Sequence, residues 1–507
     1  MDHHGSGATV VELVLAAAAA APDTVLLSDA EHTMTGAQLQ ASVQALAGGL
    51  AGLGLGHGDV VAIVPTTSVA AVVVRYAAAL VGCATAYCPA GAPTRTAHFV
   101  REVGATAVIV LPETAEAVSL VGDDVRTLTY AEILAAPAAT LPGPPAPDAL
   151  GWLVSSGGTT GHGSPSRRSF TEWATSVTAP HDPARRQLVC TSLVHVGQVV
   201  LDQTLVSGGT VVLRDYGTRG DIDAADVLHT IEAERVTHLC LVEPQLVELI
   251  DHPDLARRDL GSLISISHIG SDAAPSLRLR LLRRLEAVGL GHVLTHTYGA
   301  SELGLVSVLS GSDYSTRRVD LVGSAGQPLP GVGITIERPD GSAAEPDEEG
   351  TIVVASAGAA RRVRTSGDIG YLDADGYLHV RGRAGDARGN TACPVFPVDV
   401  QNALCAHPGI RYAVAVPTDD GFDALVIPMA GRCVSTADLL TFVRRQHGPR
   451  LLPRSLVVRS DVPLTEQGKP DRTAITALFT TRAGVDAALP QVPLHDTPHA
   501  VQMRTHR

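Results

Sequence analysis

The stretch Ser155-Ser156-Gly157-Gly158-Thr159-Thr160-Gly161 directly follows an apolar segment, Leu150–Val154. The apolar segment has the length and composition of a buried β-strand. The small side chains after it let backbone N–H groups approach an anion closely, and the serine and threonine hydroxyls supply further donors. The stretch lacks the Gly-Lys-Ser/Thr ending of a P-loop. It therefore predicts a phosphate-binding loop at the end of a strand, with a flexible surface loop as the alternative.

Upstream of this loop, apolar helices alternate with short strands. We predict strands at Thr24–Ser28, Val60–Pro65 and Ala107–Val110, and an amphipathic helix at Thr35–Leu53. Such alternation is typical of a sheet that is covered by helices. We therefore expect an α/β fold, with helix-covered sheets in a large N-terminal domain of residues 1–385.

Beyond Ser324 the pattern changes to short strands and turns. The stretch Asp373-Ala374-Asp375-Gly376 lies between two apolar segments and predicts a tight hairpin. A smaller α+β segment begins after Gly382, and we place a domain boundary at Asp386. Residues 386–483 are predicted to form a small C-terminal domain. Residues 484–507 contain few large apolar side chains and are predicted to form an unfolded tail.

Composition and charge exclude several classes of protein. A net charge of −14 at pH 7 argues against nucleic acid as a partner, because nucleic-acid binding needs clustered Lys and Arg. The seven cysteines are scattered and odd in number, which favours neither a disulfide framework nor a zinc site. The apolar stretch Ser68–Cys88 is interrupted by Arg75 and Gly82, so we interpret it as a buried helix and strand and not as a membrane span. A cytoplasmic protein without a membrane partner is expected.

Two further motifs carry groups that suit a nucleotide. The stretch Tyr298-Gly299-Ala300-Ser301-Glu302 combines an aromatic face that can stack on a purine, a hydroxyl group, and a carboxylate that can hold Mg²⁺. Asp368, within Thr365–Tyr371, can bind the hydroxyls of a ribose, and Arg383 can hold phosphate or ribose. Taken alone, each piece is also compatible with an ordinary loop or a solvated hairpin.

Lys469 is the only lysine of a chain in which Lys and Arg together number 38. A bias towards arginine replaces lysine wherever a positive charge is enough. A remaining lysine can therefore mark a position that needs a compact ammonium on a flexible stem. Lys469 lies in Pro463–Arg472, a turn in which glycine and proline flank it. An ordinary exposed loop lysine is the alternative, and the other motifs argue against it.

These four motifs, in this order and at these spacings, resemble the superfamily of acyl-CoA synthetases, nonribosomal-peptide adenylation domains and luciferases. The resemblance covers residues 10–478, and Gly56–Ile63 and His407–Ile410 also look like segments of that superfamily. It implies a large N-terminal domain and a small mobile C-terminal domain with the active site between them. It also implies ATP and Mg²⁺ as cofactors and the AMP-forming activation of a small acid.

The resemblance assigns roles to residues of this sequence. Tyr298 would stack on adenine, Ser301 would touch phosphate and Glu302 would bind Mg²⁺. Lys469 would contact both the reacting carboxylate and the α-phosphate. The other implied roles are the pyrophosphate loop (Ser156, Gly157, Gly158, Thr159, Thr160 and Gly161), the ribose site (Asp368, with Arg383 beside it) and the hinge (Asp386).

The resemblance gives the least information about the pocket for the acid. Thr191–Gly197 resembles the segment that lines the pocket in the superfamily, and His195 either gates the pocket or packs in the core. The segment offers no acidic residue as an anchor for an α-amino group, which disfavours an amino-acid substrate. A short aliphatic or flat aryl acid is expected. The predicted lining residues are His195, Val196, Gly197, Gly270, Gly299 and Ala300.

The sequence departs from the superfamily pattern at two places. The phosphate loop usually carries a lysine where this chain has Ser164, and Arg167 or Arg168 could compensate for it. The Lys-x-Arg-Gly pattern that usually follows the hinge is replaced by Gly389–Cys393. Because that segment normally lines the tunnel for the thiol, adenylation is better supported than thioester formation.

The motifs and their departures from the superfamily pattern are compatible with three functions. The first is adenylation of a small acid and transfer of the acyl group to CoA or a carrier protein. The second keeps adenylation but uses a non-thiol acceptor, as in an amide ligase that uses an amine or a diazotase that activates nitrite. The third is a non-catalytic nucleotide-binding relative, suggested by the missing loop lysine.

Overall fold

The structure, a computed structural model, describes residues 7–89, 93–122, 125–155, 165–217, 220–270, 274–300, 303–314, 318–356, 363–390 and 393–480. The α-helices of these residues are α1 (Val10–Ala20), α2 (Gly36–Gly52), α3 (Val69–Leu80), α4 (Pro93–Val103), α5 (Tyr130–Ala135), α6 (Phe170–Val177), α7 (Val196–Val206), α8 (Ala224–Ala233), α9 (Glu243–Asp251), α10 (Pro275–Ala287), α11 (Pro397–Cys405), α12 (Thr436–His447) and α13 (Arg472–Thr480).

The strands of the first half of the chain are β1 (Val25–Ser28), β2 (Thr33–Thr35), β3 (Val60–Val64), β4 (Ala84–Tyr87), β5 (Ala107–Val110), β6 (Arg126–Thr129), β7 (Leu150–Val154), β8 (Ser166–Ser169), β9 (Arg186–Val189), β10 (Thr210–Leu213) and β11 (His238–Leu241). Those of the second half are β12 (Ser265–Ile269), β13 (Leu294–Ala300), β14 (Gly304–Leu309), β15 (Gln327–Pro328), β16 (Val332–Glu337), β17 (Gly350–Ser356), β18 (Val363–Leu372), β19 (Leu378–Arg383), β20 (Ile410–Thr418), β21 (Gly421–Pro428) and β22 (Ser455–Val458).

Two large, mostly parallel sheets form the body of the N-terminal part. One has the strand order β6-β5-β3-β4-β7-β8, and only its last pair is antiparallel. The other has the order β15-β14-β13-β12-β11-β9-β10-β1-β2. Helices between the strands bury nearly continuous apolar runs such as Val60–Val64, as expected for parallel sheets covered on both faces. The predicted strand before the phosphate loop is β7, which pairs with β4 on one side and with β8 on the other.

Local signals in the sequence place several of these elements. Thr35 caps α2, because its hydroxyl accepts from the backbone N–H of Gln38 and the Gln38 side chain accepts from the Thr35 N–H. The apolar stretch Ser68–Cys88 forms α3 and β4, as predicted. The stretch Asp373–Gly376 turns the chain between β18 and β19, and Gly376 has the positive φ of 81° that this turn needs.

An ion pair is buried between the two large sheets. The guanidinium of Arg75 on α3 donates to both carboxylate oxygens of Asp202 on α7, at 2.9 and 3.0 Å. Tyr76 and Trp173 donate to the same carboxylate at 2.7 and 2.9 Å. The Arg75 guanidinium also lies 4.5 Å from the Trp173 ring centre and 5.8 Å from that of Trp152. The Asp202 carboxylate thus accepts four hydrogen bonds, which offset the cost of burying its charge, whereas Nε of Arg75 has no hydrogen-bond partner among the described residues.

The C-terminal part consists of the three-stranded sheet β20-β21-β22 with helices α11, α12 and α13. It packs against α9 and α10. Arg411 on β20 donates to Glu248 at 3.0 Å and to Asp251 at 3.1 Å, and Arg280 donates to the Arg411 carbonyl at 2.8 Å. The arrangement brings the lysine turn, residues 463–471, against the N-terminal sheets. The predicted boundary at Asp386 stays a prediction.

Within the part of the chain that the structure describes, each helix is too short or too polar to span a membrane.

Candidate active site

A cleft lies between the carboxyl ends of β12 and β13, helix α7 and the lysine turn. It holds about 880 Å³ of space, part of it open to solvent. Most of its walls are apolar, whereas Lys469 and Arg168 bring positive charge. The lining residues come from both large sheets, from α6, from the start of α7, from the start of α9 and from the lysine turn: Trp152, Val154, Arg168, Ser176, His195, Val196, Val199, Val242, Ile269, Gly270, Gly299, Ala300, Gly304, Leu305, Gln467 and Lys469.

The Lys469 side chain extends across Gly270 at the end of β12. A Cβ on Gly270 would lie 2.7 Å from Cε and 2.9 Å from Nζ of Lys469, which is closer than side chains approach. Gly270 also has a φ of 84°, a conformation that glycine adopts without strain. Any side chain at position 270 would collide with the end of the Lys469 side chain, so this position requires glycine.

His195 at the start of α7 lies in the same cleft. Burial lowers the pKa of His195 to about 3, and the nearby positive charges of Lys469 and Arg95 act in the same direction. A hydrogen bond with the Ser155 backbone raises that pKa, but not enough to offset the other causes. The imidazole is therefore neutral at physiological pH. The neutral ring can donate a hydrogen bond to a ligand or accept one, and it adds no positive charge to the cleft.

Tyr298, Asp368 and Arg383 come together at one end of β13. The Tyr298 hydroxyl donates to Oδ2 of Asp368 at 2.5 Å, and Nε of Arg383 lies 2.7 Å from Oδ1. Asp368 is only 6% exposed, whereas the Arg383 side chain is half-exposed. Gly367, with a φ of 73°, turns the backbone just before the carboxylate. The structure thus unites three residues that the sequence predicts for one nucleotide site.

Several predicted residues lie outside the described residues. They are Ser156, Gly157, Gly158, Thr159, Thr160 and Gly161 of the phosphate loop, and Ser301 and Glu302. Within the described ranges, no group of three or more His, Cys, Asp or Glu side chains could hold a metal ion. Of the two arginines after the loop, Arg168 is buried in the cleft wall and Arg167 is exposed.

The predicted hinge residue, Asp386, forms an ion pair with Arg472 at the start of α13. Beyond it, the segment that departs from the superfamily pattern contacts the C-terminal part. Arg450 donates to the Cys393 sulfur at 3.2 Å and to its carbonyl at 2.5 Å. Residues 391–392 lie outside the described residues.

Reasoning from the sequence missed part of the cleft. Trp152 forms its floor, with its indole N–H donating to Oε1 of Gln198 at 2.8 Å. Val199 and Leu305 form walls, and Gln467 reaches in from the lysine turn. The one signal in the sequence was the position of Trp152 in the strand that leads into the predicted phosphate loop.

A comparison with models of known protein families identifies the family of this chain. The model described as AMP-binding enzyme matches residues 14–362. The protein belongs to the AMP-binding enzyme family. This confirms the superfamily that the four motifs indicated.

Relatives in this family include two CoA ligases. The medium/long-chain-fatty-acid–CoA ligase FadD8 of Mycobacterium tuberculosis is 28% identical over 327 residues, which cover 59% of this chain and 55% of that protein. The feruloyl-CoA synthase of an Amycolatopsis species is 28% identical over 477 residues, which cover 86% of this chain and 92% of that protein. Among solved structures, the amide bond synthetase McbA from Marinactinospora thermotolerans matches with a TM-score of 0.79 and 26% identity, covering 93% of this chain and 99% of that one.

These findings settle the coarser predictions. The α/β fold with a large N-terminal and a small C-terminal domain is confirmed. The prediction of an AMP-forming ligase is confirmed as well, because the relatives are ligases of this family. The roles of individual residues and the domain limits stay predictions.

Proposed function

We propose that this member of the AMP-binding enzyme family adenylates a small aryl or short acyl carboxylic acid with ATP. The thiol of CoA or a carrier protein then attacks the acyl carbon, and AMP leaves as the thioester forms. The observation that carries the proposal is the position of Lys469. Its ammonium lies over Gly270 at a cleft with mostly apolar walls. An acid with its apolar body in this cleft would present its carboxylate to that ammonium.

The proposed chemistry is an in-line displacement. A carboxylate oxygen of the acid attacks the α-phosphorus of ATP, the bond to the bridging oxygen breaks, and pyrophosphate leaves. Two anions must approach each other, so a cation between them lowers the barrier. Lys469 would supply that cation. Loss of a comparable preorganised contact costs about 10²–10³ in rate.

The nucleotide would be held by residues of several elements. Tyr298 would stack on adenine, and Asp368, oriented by Tyr298 and Arg383, would accept from the ribose hydroxyls. Ser301 and the loop of residues 156–161 would donate to the phosphates. Mg²⁺, held by Glu302, would neutralise phosphate charge.

The acid would lie against Trp152, Val199 and Leu305, beside neutral His195. A flat aryl ring suits a cleft with an indole floor, and the likeness to feruloyl-CoA synthase supports an aryl acid and CoA. Residues 1–385 would form the large domain and residues 386–483 the small one, with the hinge at Asp386.

The test is pyrophosphate exchange into ATP across a panel of aryl, short-chain and dicarboxylic acids. We expect exchange with one class of acid, and an exchange rate about 10²- to 10³-fold lower, but still measurable, in Lys469→Ala. Mass spectrometry after addition of CoA would then show the thioester. Absence of exchange with every acid, while ATP still binds, would contradict the proposal and favour a non-catalytic relative.

A second candidate is transfer to an amine, giving an amide. Two observations favour it: the likeness to the amide bond synthetase McbA, and the altered segment Gly389–Cys393, which Arg450 contacts. With the acid identified, parallel reactions with CoA and with a set of amines would discriminate. A prompt CoA thioester and no amide would rule the second candidate out. A diazo product formed from nitrite and an aromatic amine would instead support the diazotase alternative.

A further inference from the structure

The lysine turn is closed by its own backbone hydrogen bonds. The N–H of Thr465 donates to the Lys469 carbonyl, the N–H of Gly468 donates to the Thr465 carbonyl, and the N–H of Asp471 donates to the Pro463 carbonyl, each at 2.8 Å. A turn bonded in this way moves as a unit. The position of the Lys469 ammonium therefore depends on where the whole turn rests against the N-terminal part.

The lysine turn contacts the backbone of Gly220 in the N-terminal part. A Cβ on Gly220 would lie 2.2 Å from the Thr465 carbonyl oxygen and 2.4 Å from the Gly468 nitrogen. From the opposite side, a Cβ on Gly468 would lie 2.5 Å from the Gly220 carbonyl oxygen. Two glycines thus face each other at backbone contact distance, directly beside Lys469. We call this pair the glycine contact.

The N-terminal side of the glycine contact is held in place. The amide of Gln245 donates to the Gly220 carbonyl at 2.9 Å, and its oxygen accepts from the backbone N–H of Val242 at 3.2 Å. Gln245 is buried at the start of α9. The Gly220 carbonyl is therefore anchored to buried Gln245, so we expect an atom added at Gly220 to displace the lysine turn.

We infer that Gly220 is a positioning residue for adenylation, which sets the distance of the Lys469 ammonium from the reacting groups. The inference rests on the proposed role of Lys469. A Cβ at 2.2–2.4 Å must move to about 3.4 Å before it makes an ordinary contact, so the turn would shift by about 1 Å. A misplacement of about 1 Å in a catalytic arrangement can reduce the rate about 10²-fold.

The experiment compares two glycine substitutions of the same kind. Gly220 and Gly217 have φ values of 75° and 83°, so alanine is similarly strained at both positions. A Cβ on Gly217 would meet nothing within 4 Å, which makes Gly217→Ala the matched control. We expect Gly220→Ala to lower kcat for pyrophosphate exchange about 10- to 100-fold with little change in the KM for ATP, and Gly217→Ala to stay within about twofold of the natural enzyme.

A double variant separates this inference from the proposed function. If Gly220 acts through Lys469, adding Gly220→Ala to Lys469→Ala causes no further loss. A further loss equal to that of the single variant would overturn the inference, and so would equal rates for Gly220→Ala and Gly217→Ala. Undiminished exchange in Lys469→Ala would instead overturn the proposed role of the lysine. Should Gly220→Ala not fold, Gly468→Ala tests the same contact from the turn, with the same expected and contradicting results.

Discussion

Removal of one hydroxyl tests how the nucleotide site is built. Tyr298→Phe keeps the aromatic face but deletes the donor that lies 2.5 Å from Oδ2 of Asp368. A hydrogen bond to a charged group contributes about 1.5–3 kcal/mol. Because this bond forms within the protein with or without ATP, only the part that holds Asp368 in place for the ribose, about 1.4 kcal/mol or about 10-fold, is expected to appear in the affinity. Asp368 keeps its contact with Arg383, whose side chain is half-exposed and therefore partly screened by solvent. We accordingly expect ATP to bind about 10-fold more weakly.

Calorimetric titration with ATP measures this effect without knowledge of the acid. Tyr371→Phe is the matched control, because Tyr371 lies on the same strand as Asp368 and stacks on His379, 4.6 Å away. We expect it to bind ATP normally. Unchanged ATP affinity in Tyr298→Phe would refute the reasoning, since the Asp368 carboxylate would then not need its tyrosine to receive the ribose.

Three further predictions concern stability, pH and salt. Arg75→Met should destabilise the fold by about 3–5 kcal/mol, because it leaves buried Asp202 without its cation, and the loss should appear as a lower Tm. The double variant Arg75→Met, Asp202→Leu should recover part of that loss. Burial lowers the pKa of His268 well below its ordinary value, so the unfolded chain binds more protons below about pH 6.5 and stability falls as pH falls. His268→Phe should remove this contribution, seen as a smaller drop in Tm between about pH 7.5 and pH 5 than in the natural protein. Glu466→Gln removes an ion pair of 3.4 Å with half-exposed Arg95, so pyrophosphate exchange should slow less than about fivefold, and the difference should fade at about 1 M salt.

Each of these three has an outcome that contradicts it. A Tm unchanged by Arg75→Met would mean that Asp202 is satisfied by its tyrosine and tryptophan donors alone. An equal acid-induced drop in Tm in His268→Phe would assign the pH effect to other groups. A large, salt-independent loss in Glu466→Gln would place Glu466 among the reacting groups and not at the edge of the lysine turn.

Elements with a local signal were predictable from the sequence. Thr35 begins a helix because its capping partner Gln38 is three residues away, and Asp373–Gly376 forms a hairpin because glycine supplies the positive φ. The apolar run Leu150–Val154 predicted a strand for the same reason, and it forms β7. All these patterns act within a few residues.

Contacts between distant segments were not predictable in this way. Gly220 and Gly468 are separated by more than two hundred positions, and nothing in their own neighbourhoods indicates that they meet. The pairing of Arg75 with Asp202 depends equally on the packing of two sheets. For the site, sequence motifs supplied Lys469, but only the fold placed its ammonium over Gly270.

The position of Trp152 has a consequence for how this enzyme could change its substrate range. Its ring stacks on Trp173 at 5.7 Å and also forms the floor of the cleft. A smaller residue at position 152 would enlarge the cleft but would also remove an aromatic neighbour of buried Arg75. A wider range of substrates would then come with a less stable fold that tolerates fewer further mutations. Val199 and Leu305 line the cleft on other walls. Evolution towards bulkier acids should therefore proceed through those two positions first.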